Sequence, residues 1–184
     1  MTADSARHIV ARGERVALGF FLPDDVDAVH RFASDPRVCE FMTWGPNSRP
    51  ETYRFLMERL TPSATDYQLA VIVQGEVVGS AAVWITDFEN RVGELGYSLA
   101  AEAWGNGFAT EVAALLIGIG RERLGLSRIA ATCDVENLAS ARVLEKVGMV
   151  REGTLRALKV VRGTRRDHHL YALVGADPAP TSRP

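Results

Sequence analysis

The 184 residues carry 21 Lys and Arg against 23 Asp and Glu, and the net charge of −2 gives no global case for a nucleic-acid or membrane partner. A hydrophobic fraction of 47% and a charged fraction of 24% are ordinary for a soluble globular chain. The length suits one domain over residues 1–174, followed by a flexible tail, 175–184, rich in Pro, Ala and Ser.

The longest nearly apolar run, residues 112–120, is far too short to span a bilayer, and the N-terminus has no signal-peptide core. Cys39 and Cys133 lie far apart without paired-ligand spacing, which argues against a Cys-built zinc site and fits a reducing, cytoplasmic setting. Residues 1–14 read as a loose lead-in and 15–22 as a first strand. Pro23-Asp24-Asp25 turns the chain into a helix continued by Val26, Val29, His30 and Ala33, which Asp35-Pro36 breaks. The segment 41–46 is apolar but too turn-rich for a long element. Pro50 sits near the start of a second helix with Tyr53, Leu56, Met57 and Leu60 on one face, closed by Pro62.

Residues 67–73, 77–85 and a stretch beginning at Gly93 then form an antiparallel meander, with turns at 74–76 and 87–90. A central helix runs from Phe108 to near Gly125, and residues 128–133 make a fifth strand. Asn137 caps a short helix with Val143, Leu144 and Val147 inward and Gly148 at the residue after its end. Residues 150–161 and 164–173 pair as a hairpin around Arg162-Gly163. There is no internal repeat.

The stretch G-E-L-G-Y-S-L-A-A-E-A-W-G-N-G-F-A-T-E-V, residues 93–112, organises the rest. Leu95, Tyr97 and Leu99 suit a strand. Gly105 and Gly107 follow, and directly behind them Phe108, Val112, Leu115, Leu116 and Ile119 share one helical face. Strand, glycine loop and helix start aim backbone N–H groups and a positive dipole end at one spot, a ready phosphate site. A Walker A loop would need Gly-Lys-Ser/Thr, and no Lys occurs here. Ala109 is allowed as the third position of a dinucleotide fingerprint, but the distal acid is missing.

The run W-G-N-G-F-A, residues 104–109, resembles the pyrophosphate loop of the GCN5-related N-acetyltransferases, Gln/Arg-x-x-Gly-x-Gly/Ala. Trp104 stands at the Gln/Arg position, as in their RimJ/RimL-like branch. The run N-L-A-S-A-R-V-L-E-K-V-G-M, residues 137–149, resembles that superfamily's N-x-x-Ala/Ser-x-x-x-Tyr-Glu-Lys-x-Gly-Phe signature. Asn137, Ser140, Glu145, Lys146 and Gly148 match, Met149 replaces Phe, and Leu144 stands where many relatives carry Tyr.

The resemblance covers residues 13–173 and implies an α/β (α+β) fold. Its mixed, mostly antiparallel sheet is flanked by helices and splayed at the fourth and fifth predicted strands. Acetyl-CoA, with no metal, would lie in that opening. The resemblance places its pyrophosphate on Trp104, Gly105, Asn106, Gly107, Phe108, Ala109 and Thr110, and its pantetheine along Tyr97, Ser98 and Leu99 and against Asn137 and Ser140. The implied activity is acetyl transfer to a primary amine, a protein N-terminal α-amine or a small molecule, by direct attack in a ternary complex. The expected partners are acetyl-CoA and that amine, without nucleic acid or membrane, and a homodimer stays open. A reading of another class is a non-catalytic acyl-CoA sensor.

An ammonium must lose a proton before it attacks a thioester, so a nearby carboxylate is useful. Glu94 is placed for this, or else is a surface carboxylate paired with Arg91 or Arg128. Leucine donates no proton, so Ser140 or a water must take the role of the absent Tyr at 144, or the thiolate leaves unassisted. Asn137 serves as helix cap, pantetheine contact or both. Cys133 reads as a buried small residue rather than a nucleophile. Only one of His168 and His169 can face the interior of a strand, and Phe41, Trp44, Trp84 and Tyr97 read as core aromatics, with one or two of them open to shaping the acceptor pocket. Residues 151–166 carry six basic side chains and one acid, a local +5 that leaves −7 elsewhere. That hairpin is either a solvated face or an attraction for CoA phosphates or an acidic partner.

Overall fold

The computed structural model describes residues 7–61 and 63–175. Pro62, the first six residues and the expected C-terminal tail beyond Gly175 lie outside the described residues. Eight strands form one sheet: β1 (Ile9–Arg12), β2 (Val16–Phe20), β3 (Asp66–Val73), β4 (Glu76–Asp87), β5 (Val92–Leu99), β6 (Arg128–Asp134), β7 (Val150–Val161) and β8 (Thr164–Val174). Five α-helices accompany them: α1 (Val26–Ala33), α2 (Pro36–Cys39), α3 (Arg49–Glu58), α4 (Phe108–Glu122) and α5 (Leu138–Lys146). The strand order is β1-β2-β3-β4-β5-β6-β8-β7, antiparallel throughout except at β5–β6.

Alternation along the strands assigns the two faces. Val16, Leu18, Leu69, Val71, Val83 and Leu95 pack under α4 with Val112 and Leu116. The intervening Ala17, Ala70 and Ile72 pack with Val29 and Phe32 of α1 and Leu56 of α3 on the other face. Two apolar layers therefore sandwich one sheet.

Three expectations need correction. The supposed lead-in contains β1, which pairs with β2 across a bulge (Ile9↔Gly19, Ala11↔Leu18). Arg7 anchors it by a two-pronged ion pair with buried Asp25, 2.7 Å at each prong. Asp35-Pro36 ends α1 but also starts α2, where Asp35 accepts from the Arg37 N–H at 2.9 Å and Pro36 fills the first turn. Tyr53 is 56% exposed, so it does not belong to the inner face of α3. Thr52 points inward instead and bonds His30 Nδ1 at 2.9 Å.

Candidate functional site

The strands β5 and β6 keep register for only three pairs, Val92↔Arg128, Gly93↔Ile129 and Glu94↔Ala130. Beyond Glu94 they part, while β4 stays paired to β5 as far as Leu99. One edge of β5 from Leu95 onward is thus released from the ladder, an opening with unpaired backbone groups along one wall. A cavity of about 1090 Å³ runs through this gap.

Register fixes what each side of the gap presents. Asp66, Trp84 and Glu94 stand opposite one another across β3, β4 and β5, as do Ala70, Ser80 and Ser98. Ala70 belongs to the α1/α3 layer, so Glu94 and Ser98 face that side. Tyr97 alternates to the other face, where its hydroxyl lies 3.2 Å from Ser140 Oγ in the first turn of α5. Leu144, one helical turn further, is 1% exposed and sits in the core.

Glu94 is half-buried and makes no ion pair among the described residues. Arg128, one of its expected partners, is taken by Glu152 at 2.7 Å. Burial raises the Glu94 carboxyl above its ordinary value, offset in part by the charge of Lys159. The Tyr97 phenol is pushed up to about 12 by burial, against the smaller opposite pull of its Ser140 bond. It therefore stays protonated throughout the physiological range. The Ser98 hydroxyl is buried in the cavity wall with no hydrogen-bond partner among the described residues. That orphan group fits a polar ligand in the gap.

Asn137 accepts from the Ser140 N–H at 3.0 Å, so its cap is real, and its residue also lines the cavity. Cys133 lines it too, but burial and then the Asp134 and Glu145 carboxylates push its thiol to about 11, a poor nucleophile. His168 is the inward histidine: it is buried, bonds the Arg166 carbonyl at 3.2 Å and is lowered chiefly by burial. His169 turns to Thr154. Phe41, Trp44 and Trp84 line the cavity, and Trp44 also packs against the α1/α3 apolar layer.

The glycine loop lies at the start of α4, outside the lining of this cavity. Gly105 and Gly107 both adopt positive φ, 76° and 79°. A Cβ at Gly105 would meet nothing within 4 Å, and one at Gly107 only Arg15 Nη2 at 3.4 Å. The N–H groups of Gly105, Asn106, Gly107, Phe108 and Ala109 bond no backbone carbonyl among the described residues. They form an open row of donors at a helix N-terminus, suited to a pyrophosphate. Thr110 N–H is instead used by the Gly107 carbonyl at 3.1 Å. Trp104 donates to the Leu99 carbonyl at 2.9 Å, lashing the loop to the end of β5.

Arg15, unnoticed in the sequence, bonds the Asn106 carbonyl at 2.9 Å and stacks over Phe108. Glu111 is held away from the loop by the amides of Arg15 and Val16, at 2.7 and 2.9 Å. Burial raises its carboxyl, but those bonds prevail and it is lowered.

The structure thus gathers Glu94, Tyr97, Ser98, Asn137 and Ser140 around one cavity. Leu99, Trp104, Gly105, Asn106, Gly107, Phe108, Ala109 and Thr110 sit apart as the end of β5 and the donor loop. The basic hairpin is only partly a solvated face. Arg162 donates to the Cys39 and Glu40 carbonyls at 2.7 and 2.8 Å, fastening the hairpin tip to the end of α2. Arg166 is locked to Asp134 and Glu136, and Lys159 enters the cavity. No alternation rule points to Lys159, because a bulge in β7 resets the phase just before it.

Comparison with known proteins adds the following. The acetyltransferase (GNAT) domain model matches residues 15–150. The uncharacterized N-acetyltransferase p20 of Bacillus licheniformis is 30% identical over 166 residues, 88% of this chain and 93% of that protein. The crystal structure of a GNAT-family acetyltransferase from Bacillus anthracis superposes with a TM-score of 0.80 at 28% identity, covering 89% of this chain and 96% of the other. RimL, a ribosomal L7/L12 alpha-N-protein acetyltransferase in complex with coenzyme A, gives 0.82 at 20% identity over 91% and 98%, a likeness of fold.

Proposed function

The chain belongs to the acetyltransferase (GNAT) domain family, which makes it an N-acetyltransferase by family, and on that premise we propose that it moves an acetyl group from acetyl-CoA to a primary amine by direct attack. The acceptor is a protein N-terminal α-amine or a small-molecule amine, as in the RimJ/RimL-like branch, and residues 1–174 act as a single cytoplasmic domain. No helix among the described residues is long and apolar enough to cross a membrane.

One observation carries the reading: the released edge of β5 has Glu94 on one face and the Tyr97–Ser140 hydroxyl pair on the other. In this reading the donor loop at Gly105–Ala109 holds the CoA pyrophosphate, and the free edge of β5 with Ser98 and Asn137 holds the pantetheine arm. The thioester sits in the gap, and the amine arrives from the α1/α3 face. Glu94, its carboxyl raised by burial, takes the ammonium proton directly or through a water. Backbone N–H groups near Tyr97, Ser98 and Leu99 polarise the carbonyl. Ser140, backed by Tyr97, returns a proton to the departing sulfur.

A release screen for free thiol across peptides with varied N-termini, polyamines, aminoglycosides and amino acids tests this. Thiol release with an acetylated product is expected from at least one class. Tight CoA binding with no thiol released from any acceptor would establish the competing reading, a non-catalytic sensor. That reading rests on Leu144 where relatives carry Tyr, and the phenol of Tyr97 beside Ser140 weighs against it.

A further inference from the structure

Four charged groups line the amine-facing part of the cavity: Asp66 and Glu94 on β3 and β5, Arg59 just beyond α3, and Lys159 on β7. Among the described residues no ion pair joins any of the four to another. Arg59 stacks over Phe55, 3.6 Å from the ring centroid, and donates to the Phe55 carbonyl at 2.9 Å; its one carboxylate partner among the described residues is the exposed Glu58 at 3.6 Å. Lys159 is half-buried, and among the described residues its ammonium has one hydrogen-bond partner, the neutral Thr132 Oγ1 at 3.2 Å. The one other buried acid of this wall, Asp134, is already taken by Arg166.

An ammonium has three N–H donors and one is spent here on a neutral hydroxyl, so Lys159 can still take a ligand's anion, while its charge acts on Glu94 without an ion pair. Acids and bases that share one cavity without pairing to each other complement a ligand carrying both signs.

Resting on the acetyl-transfer reading, we infer that the acceptor amine carries an anionic group, carboxylate or phosphate, on the same molecule, and that Lys159 binds it while Glu94 faces the amine. Thr132 orients the ammonium, and Arg59 adds positive charge from the α3 side. Polyamines and aminoglycosides, which bring no anion, are disfavoured by the same two cations.

The experiment compares wild type with Lys159→Met, which keeps the aliphatic stem, on matched acceptors: amino acids against their amides, phosphoethanolamine against ethanolamine, and dipeptides with acidic against neutral second residues. Each pair separates one source of the anion. The ratio of kcat/KM for the anionic and neutral members, mutant over wild type, cancels differences in amine basicity. Lys159→Met is expected to lower kcat/KM for anionic acceptors about ten-fold or more beyond any change shared with neutral ones, the shared change being what the loss of its charge does to the Glu94 carboxyl.

Equal losses on both members, or a wild type that prefers the neutral ones, would overturn the inference. Calorimetric titration with two probe pairs, an N-acetylated amino acid with its amide and N-acetylphosphoethanolamine with N-acetylethanolamine, reads the anion subsite without chemistry. Wild type should bind the anionic member of at least one pair and Lys159→Met should not, and equal or absent binding of the members of both pairs by wild type overturns the inference even where turnover is seen. Absence of thiol release from every acceptor, by contrast, refutes acetyl transfer itself, and the titration still decides whether the anion subsite exists.

Discussion

Glu94 and Tyr97 stand three residues apart on β5 and project from opposite faces of the sheet, each beside the gap where β5 leaves β6. In the proposed reaction an acceptor of protons would meet the amine on one side while hydroxyl donors would meet the leaving sulfur on the other. The strand's own period of two keeps the two groups from neutralising each other.

Glu94→Gln keeps size and hydrogen bonding but removes the proton acceptor. Turnover should fall roughly 10²–10⁴-fold with acetyl-CoA affinity unchanged. Wild-type rate should decline as pH falls through a carboxyl raised above 4.5 by burial, and the mutant should regain rate as pH rises and free amine accumulates. Stability carries the opposite sign. A raised carboxyl pKa opposes folding once the pH exceeds it, so the melting temperature of Glu94→Gln at neutral pH should equal or exceed that of wild type. A loss of only a few-fold at every pH would make the carboxylate structural.

Tyr97→Phe and Ser140→Ala each remove one member of the 3.2 Å hydroxyl pair. If the pair acts as a unit on the leaving sulfur, each single variant should lose kcat by roughly 10²-fold. The double variant should then be little worse than either single one. With the phenol at about 12, wild-type kcat should hold its plateau to high pH. Additive losses in the double variant would separate the two hydroxyls into independent roles.

Much of this arrangement is legible in the sequence because it is local. The Asn137 cap, the Gly148 terminator at φ 85° and the β7–β8 turn depend on neighbours within a few residues. β1 escapes notice because its four residues have no pattern of their own and form a strand only by pairing with β2. Tyr97 looks like a core aromatic because its partner, Ser140, arrives from a helix 43 positions away. Lys159 looks like one more surface cation because Leu155↔His168 is followed by Lys159↔Arg166, four residues opposing two, with Ala157 at φ 52° between them. Face assignment by alternation fails across such a bulge.

Arg166 is a structural cation rather than a free charge for capturing ligands. The Asp134 side chain it holds is 0% exposed, while Arg166 itself is 26% exposed. Burial raises the Asp134 carboxyl, but the Arg166 bond and the Glu136 N–H bond prevail and hold it below 3.8. The pair therefore stabilises the fold at all pH above that range and stops doing so only in stronger acid. Arg166→Ala should destabilise toward the low end of ~3–5 kcal/mol at neutral pH, because it leaves Asp134 charged and buried. Adding Asp134→Asn should recover part of that loss in urea denaturation. Arg165→Glu alone should barely change stability, since among the described residues Arg165 makes only a long 3.3 Å bond to the Ala157 carbonyl.

The donor loop offers the most direct check on where the CoA phosphates dock. Gly107 caps α4 at φ 79° and ψ 1°, a left-handed conformation that a β-branched residue adopts poorly. Gly107→Val should lose stability by roughly 1–3 kcal/mol from that strain alone. In the proposed docking the added side chain would also crowd the donor row of Gly105–Ala109, where the pyrophosphate would approach. Gly107→Asn separates the two effects, because Asn tolerates the left-handed region while still adding a side chain at the donor row. Both variants should bind CoA more weakly by calorimetry, and dephosphopantetheine thioesters, which lack the pyrophosphate, should be used as well by Gly107→Asn as by wild type. If Gly107→Asn folds normally and binds CoA with unchanged affinity, the phosphates dock elsewhere, with Arg15 as the next cation to test.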